Sequence, residues 1–263
     1  MKKKSIILLF VAVLALALAA CGNKDTGSGK STSDSKTAKA CAAYQKVLED
    51  NKSSIDKYSW QTNATKKEDS ISRPVALTDI NGDKIPELFF MSAVSDYEAD
   101  LQIYTYSDGK AQKVSYKMTE NDNTYDSYAD VAAGGGSRYV IYRTKNDPDS
   151  FAILGITTDE SSLYYLSSYD TSKLSSDCTL TESSTLTNIV SVYPSSDTYK
   201  KNGTTISNSE GKKAFSESFS SMDKVIMFSG YDSSCSIWKH FKPSTAASKS
   251  YDDMIDYLGS KSN

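Results

Sequence analysis

From Thr37 to Tyr58 the apolar positions Cys41, Tyr44, Val47, Leu48, Ile55 and Tyr58 recur at spacings of three, four and seven. That period places them on one buried face of a helix. Beyond Asp79 the pattern changes. Leu88 to Val94 is an apolar run of strand length, and Asp100 to Tyr106 puts Leu101 and Ile103 on one face with Gln102 and Tyr104 on the other. Ser107-Asp108-Gly109-Lys110 then predicts a tight hairpin turn into a strand over Ala111 to Met118. Further strands are predicted over Arg138 to Thr144, Phe151 to Thr157, Leu163 to Tyr169, Asn188 to Tyr193 and Lys224 to Ser229. Asn202-Gly203 predicts a second hairpin, joining Tyr199 to Ile206.

Two shorter helices follow from capping chemistry. Ser207 and Glu210 have capping-box spacing ahead of Ala214, Phe215 and Phe219. Ser250 and Asp253 repeat the arrangement ahead of Met254, Ile255 and Leu258, with Gly259 as the expected stop. The strands succeed one another through short turns without helical crossovers, so the expected fold class is α+β. It has an N-terminal helix, a mainly antiparallel β-sheet with hairpins, and peripheral C-terminal helices.

The first thirty-six residues obey another pattern. Lys2, Lys3 and Lys4 form a positive start, Ile6 to Ala17 is apolar, and Leu18-Ala19-Ala20-Cys21 closes the stretch with small residues before a cysteine. This resembles a bacterial lipoprotein signal. The resemblance implies cleavage after Ala20, a diacylglycerol on the Cys21 thiol, and a protein exported and anchored to the outer face of the cell membrane. Gly22 to Lys36 consists only of Gly, Ser, Thr, Asn, Asp and Lys and contains no apolar side chain, so it reads as a flexible tether. The expected division is a signal peptide over 1–20, a lipidated cysteine and tether over 21–36, and a single α+β domain over 37–263.

The stretch with the most chemistry is Asp79-Ile80-Asn81-Gly82-Asp83-Lys84-Ile85-Pro86-Glu87-Leu88. Calcium takes six to eight oxygens, and a short loop supplies them from alternate residues. Asp79, Asn81 and Asp83 fall at loop positions one, three and five, the Ile85 carbonyl at seven and the Glu87 carboxylate at nine. An EF-hand would add a bidentate Glu at twelve, where this chain has Phe90, and Pro86 argues for a strand exit. The stretch resembles the loop-to-strand calcium sites of integrin-like FG-GAP repeats and the DxNGDxxPEL wording of surface lipoproteins of Gram-positive bacteria. Position six is ordinarily Gly, whereas Lys84 stands here and would pay roughly 1 kcal/mol in a left-handed conformation. The same spacing also serves an Asx-rich turn held by amide hydrogen bonds without a metal.

Composition narrows the function classes. The chain carries 30 Lys and Arg against 33 Asp and Glu, and removal of the three leader lysines makes it more acidic still. No basic face for nucleic acid is expected. With Cys21 lipidated, Cys41, Cys178 and Cys235 remain, an odd number for an oxidising exterior. Cys41 reads as a core residue, and Cys178 with Cys235 is the preferred disulfide, with three free thiols as the alternative. The lone His240 and the absence of a GxSxG elbow give no support to a nucleophilic triad, and Gly134-Gly135-Gly136-Ser137 lacks the continuation of a phosphate loop. Eighteen tyrosines suit either strand pairing or a protein- or glycan-binding surface.

Three readings follow. The first is a lipid-anchored, non-enzymatic surface module with a calcium-stabilised loop. The second is a solute-binding lipoprotein of a transporter, which calls for two lobes built from βαβ units. The third is an extracellular hydrolase working through a pair of carboxylates.

Overall fold

The computed structural model describes residues 32–61, 74–94, 98–120, 123–125, 129–131, 138–145, 147, 149–158, 162–190, 197–228 and 248–262. The chain begins with helix α1 (Thr32–Gln61), followed by strands β1 (Val75–Thr78), β2 (Glu87–Ala93), β3 (Glu98–Ser107) and β4 (Lys110–Lys113). Short strands β5 (Met118–Glu120), β6 (Asn123–Tyr125) and β7 (Ala129–Val131) lead to β8 (Arg138–Thr144), β9 (Ser150–Thr158) and β10 (Ser162–Asp170). The turn-length helix α2 (Leu174–Asp177) precedes β11 (Thr181–Val190), β12 (Thr198–Lys201) and β13 (Thr204–Ile206). Helix α3 (Asn208–Ser220), β14 (Met222–Phe228), β15 (Ser248–Lys249) and α4 (Tyr251–Ser262) complete it.

The fold is α+β, with most strands in two antiparallel sheets and β5 paired with β6 in a separate two-stranded ribbon. The first has the order β15-β1-β2-β3-β4, with β7 also paired to β3; the second runs β13-β12-β11-β10-β9-β8-β14. Strand alternation sets the layers. Phe89, Met91, Leu101 and Ile103 of the first sheet meet Ile141, Phe151, Ile153, Tyr165 and Tyr169 of the second in one buried cluster. The opposite face of the first sheet, with Val75, Leu88, Phe90 and Tyr106, packs on Ala40, Cys41, Tyr44, Leu48 and Ile55 of α1 and on Met254 and Leu258 of α4. The opposite face of the second sheet, with Tyr142, Ala152, Leu154 and Leu166, is covered by Ala214, Phe215 and Phe219 of α3. The order of layers is therefore helix pair, sheet, sheet, helix.

Both hairpin turns form as expected. Asp108 and Gly109 have φ of 52° and 79°, and Asn202 and Gly203 have 48° and 76°, the doubly left-handed backbone that two-residue hairpins require. Ser107 pairs with Lys110, and Lys201 with Thr204. The Ser207–Glu210 capping box is complete on both sides, and Ser250 Oγ accepts from Asp253 N at 3.1 Å.

Four boundaries differ from expectation. Helix α1 begins at Thr32, inside the stretch read as a tether, because extending a helix already nucleated further along needs no apolar side chain. Gly259, read as a stop, lies within α4, where an ideal Cβ would sit 3.8 Å from Gln45 Oε1 of α1. A glycine inside a helix costs only about 1 kcal/mol, which packing against a neighbouring helix offsets. The strand read over Ala111 to Met118 stops pairing with β3 after Lys113. From there Val114, Tyr116 and Met118 still point inward, but Ser115 N donates to Cys178 O and Leu180 N to Ser115 O, so the chain crosses towards the second sheet. Strand β11 starts at Thr181, well before Asn188, and its Ser- and Thr-rich first half lacks the apolar alternation that would reveal it.

Candidate metal centre

The loop between β1 and β2 is built by its own polar side chains. Asp79 Oδ1 accepts from Gly82 N at 2.7 Å and Oδ2 from Lys84 N at 3.0 Å. Asn81 Oδ1 accepts from Asp83 N at 3.2 Å, and Asp83 Oδ1 from Ile85 N at 2.8 Å. These bonds curl the backbone around the three side chains, and the curl needs left-handed residues at Gly82 (φ 75°) and Lys84 (φ 70°). Lys84 thus carries the strain expected of a non-glycine at that position. Two isoleucines pin the loop: Ile80 enters the cluster between the sheets, and Ile85 the cluster beneath α1.

Glu87 is placed differently from its neighbours. It opens β2 opposite Thr78 of β1, and its side chain is fully buried at 0% exposure. Its Oε2 accepts from Ile80 N at 2.9 Å and its Oε1 from Thr105 Oγ1 at 3.3 Å. Burial pushes its pKa up to about 8, and the nearby charges of Asp83 and Asp79 push the same way against the bonds from Ile80 and Thr105. The carboxyl is therefore mostly protonated at neutral pH in this arrangement. On the α1 side, the Tyr44 hydroxyl is buried without a hydrogen-bond partner. Burial raises its pKa first, and the charges of Glu87 and Asp83 add to the effect.

A third element, α2 in the connection between β10 and β11, reaches the loop. Asn81 Nδ2 donates to Ser175 Oγ at 3.1 Å, Ser175 Oγ donates to Asp83 Oδ2 at 3.5 Å, and Ser107 Oγ donates to the Ser175 carbonyl at 2.9 Å. Helix α2 is thereby tied both to the loop and to the β3–β4 turn. Nothing local in the sequence points to Ser175, Thr105 or Tyr44. They arrive through strand register and tertiary packing.

Asp79, Asn81 and Asp83 therefore share one loop, while the Glu87 carboxyl is turned onto Ile80 N and Thr105. Among the described residues no group of three or more His, Cys, Asp or Glu side chains stands close enough to hold a metal ion. The chemistry of the donor set still suits calcium, being all oxygen, and a carboxylate oxygen that accepts one amide keeps a second lone pair. Among the described residues no Lys or Arg forms a salt bridge with Asp79, Asp83 or Glu87. The negative charge of this hairpin end is left without a protein counter-charge there.

The remaining candidate residues fall apart in space or outside the description. Cys21, Cys235, His240 and Gly134 to Ser137 lie outside the described residues. Cys41 is buried in the α1 core, as expected. Cys178 carries a free thiol, half-buried, in left-handed conformation at the C-terminal end of α2. Tyr44, Tyr106, Tyr116, Tyr142, Tyr165, Tyr169 and Tyr199 are buried, so they serve the cores and not a binding surface. No described helix is long and apolar enough to cross a membrane. Comparison of the chain with protein-family models, with curated proteins and with solved structures finds no match.

Proposed function

We propose that the chain is an exported, lipid-anchored surface protein, a non-enzymatic binding module whose 79–87 loop takes calcium. The observation that supports the loop reading most is its uncompensated charge: the Asp79 and Asp83 carboxylates at one hairpin end, beside the buried Glu87 carboxyl, with no salt-bridge partner among the described residues. Asp79, Asn81 and Asp83 side chains, the Ile85 carbonyl and an ionised Glu87 would hold the ion. A divalent cation beside Glu87 favours the ionised carboxylate, so binding releases a proton. The role of the ion is to hold this end of the sandwich rigid. The loop, the β3–β4 turn and α2 meet there, with Gly82, Asp83, Lys84, Asp108 and Gly109 exposed, and this is the face offered to a protein or glycan partner.

The solute-binding reading calls for parallel βαβ lobes, whereas every strand pairing in the two sheets is antiparallel. Anchoring rests on the lipobox-like Leu18-Ala19-Ala20-Cys21. Two measurements test the proposal. Cys21→Ala is expected to move the protein from the detergent phase to the aqueous phase in phase partitioning; equal partitioning of both proteins, with no lipid mass on either, sinks the anchor. Calcium is expected to raise the melting temperature of the wild type and not of Asp83→Ala; an equal shift in both proteins sinks the assigned site.

A further inference from the structure

We propose that Ser175 clamps the 79–87 loop to the second sheet, so that divalent-cation binding at Asp79, Asn81 and Asp83 is coupled to docking of the β10–β11 connection. The inference rests on the cation reading above and adds a positioning residue and a mechanical consequence to it.

The amide of Asn81 has two different ends, and both are engaged. With Nδ2 donated to Ser175 Oγ, the other end, Oδ1, is left on Asp83 N. Flipping the amide would set its NH2 against the Asp83 N–H and its oxygen towards Ser175, losing the loop bond. Because the Ser175 proton goes to Asp83 Oδ2, its oxygen is left as an acceptor for Asn81 Nδ2, which supports the orientation that keeps the Asn81 oxygen in the loop, the one a cation requires. The same hydroxyl donates to Asp83 Oδ2 while Ile85 N holds Oδ1, so both oxygens of that carboxylate are also fixed. One serine thus orients two of the three alternating side chains, and it does so from α2, in the connection between two strands of the other sheet.

A second observation comes from the other side of the loop. The Tyr44 hydroxyl is completely buried and has no hydrogen-bond partner, and it sits in the cluster that contains Ile85 of the loop. Glu87 and Asp83 are the first carboxylates whose charge reaches it. A buried, unpartnered hydroxyl within electrostatic reach of two carboxyls of the loop is a place for an ordered water of an ion's shell.

The coupling follows from connectivity. Helix α2 is anchored by the buried Leu174 and carries Ser175 outward to the loop, while the Ser175 carbonyl takes the Ser107 hydroxyl of the β3–β4 turn. A cation that orders Asn81 and Asp83 holds both hydrogen-bond partners of Ser175 in place, and through them holds α2 against the first sheet. Because Leu174 anchors α2 independently, Ser175→Ala removes the clamp without removing the helix.

The test is hydrogen exchange on the full chain, in chelator and across a calcium titration, read in segments 79–86 and 172–179 for wild type, Ser175→Ala and Ser175→Thr. Calcium is expected to slow exchange in both segments of the wild type. In Ser175→Ala the loop should need about tenfold more calcium, as for loss of an outer-shell partner, and segment 172–179 should not respond. Ser175→Thr, which keeps the hydroxyl, should restore both. Wild-type protection confined to 79–86, or an alanine variant indistinguishable from wild type, overturns the coupling and leaves the cation site standing. No calcium effect on either wild-type segment overturns the site and the coupling together.

Discussion

Replacing Glu87 by Gln isolates the electrostatic strain at the loop. In the folded protein without calcium this carboxyl is fully buried, with its pKa pushed up to about 8 from an ordinary value of 4.5. Burial is the main cause; Asp83 and Asp79 add to it. Between those two pH values the folded state holds a proton that the unfolded chain releases, so stability falls as pH rises through the window. Each pH unit removes about 1.4 kcal/mol, and the whole window roughly 5 kcal/mol. Below it both states are protonated, and above it both are ionised, so the dependence flattens at each end. The amide of Glu87→Gln mimics the protonated acid: its oxygen can accept from Ile80 N, and its NH2 can donate to the Thr105 hydroxyl. Urea unfolding of both proteins in chelator, followed by circular dichroism at pH 5, 6, 7 and 8, gives the difference curve. Similar stability is expected near pH 5, with the variant ahead by several kcal/mol at pH 8. A constant difference across the range would refute the reasoning, because it would mean that Glu87 is already ionised in the fold at pH 5.

Three further outcomes are expected. Lys84→Gly removes the side chain from a residue at φ 70° and should raise stability by about 1 kcal/mol, visible as a melting temperature higher by about 3 °C; an unchanged or lower value contradicts the strain. Gly155→Ala places a Cβ 2.2 Å from Tyr165 Cε2, and the overpacked core should lose roughly 3 kcal/mol, or about 10 °C in melting; a loss under about 2 °C means that Tyr165 can move aside. Cys178 is unbridged in the structure, and the preferred pairing predicts that oxidation joins it to Cys235 on mass mapping of the unreduced protein; Cys178 alkylated without prior reduction removes that pairing.

What could be read from the chain depended on range. The Asp108-Gly109 and Asn202-Gly203 turns and the Ser207–Glu210 cap were legible because each is decided within four residues. The limits of β8, Arg138 and Thr144, were legible because the segment has turn signals before it and an apolar, aromatic interior. Strand β1 is only four residues long, too short to show a period, and is defined by its pairing with β2 and β15. The switch of the chain at Val114 to Leu180 depends on backbone bonds between segments more than sixty residues apart. At the site, the Asp79, Asn81 and Asp83 spacing did forecast a curled loop, and Lys84 did take the left-handed backbone. The inward turn of Glu87 was not legible. Its neighbour Thr105 is fixed by the β2–β3 register, and no residue near Glu87 in sequence announces that partner.

The most direct measurement is calorimetric titration of calcium into the full chain at pH 7.5. Five protein ligands without a twelfth-position carboxylate leave coordination to water, so the Kd should be on the order of 0.1 to 1 mM. At ten times the Kd, linkage adds about 1.4 kcal/mol to folding. The account predicts a single saturable binding event, accompanied by proton release as Glu87 ionises and abolished in Asp83→Ala. No binding heat and no shift in melting up to several millimolar calcium would contradict it and leave only a turn held by its own amides.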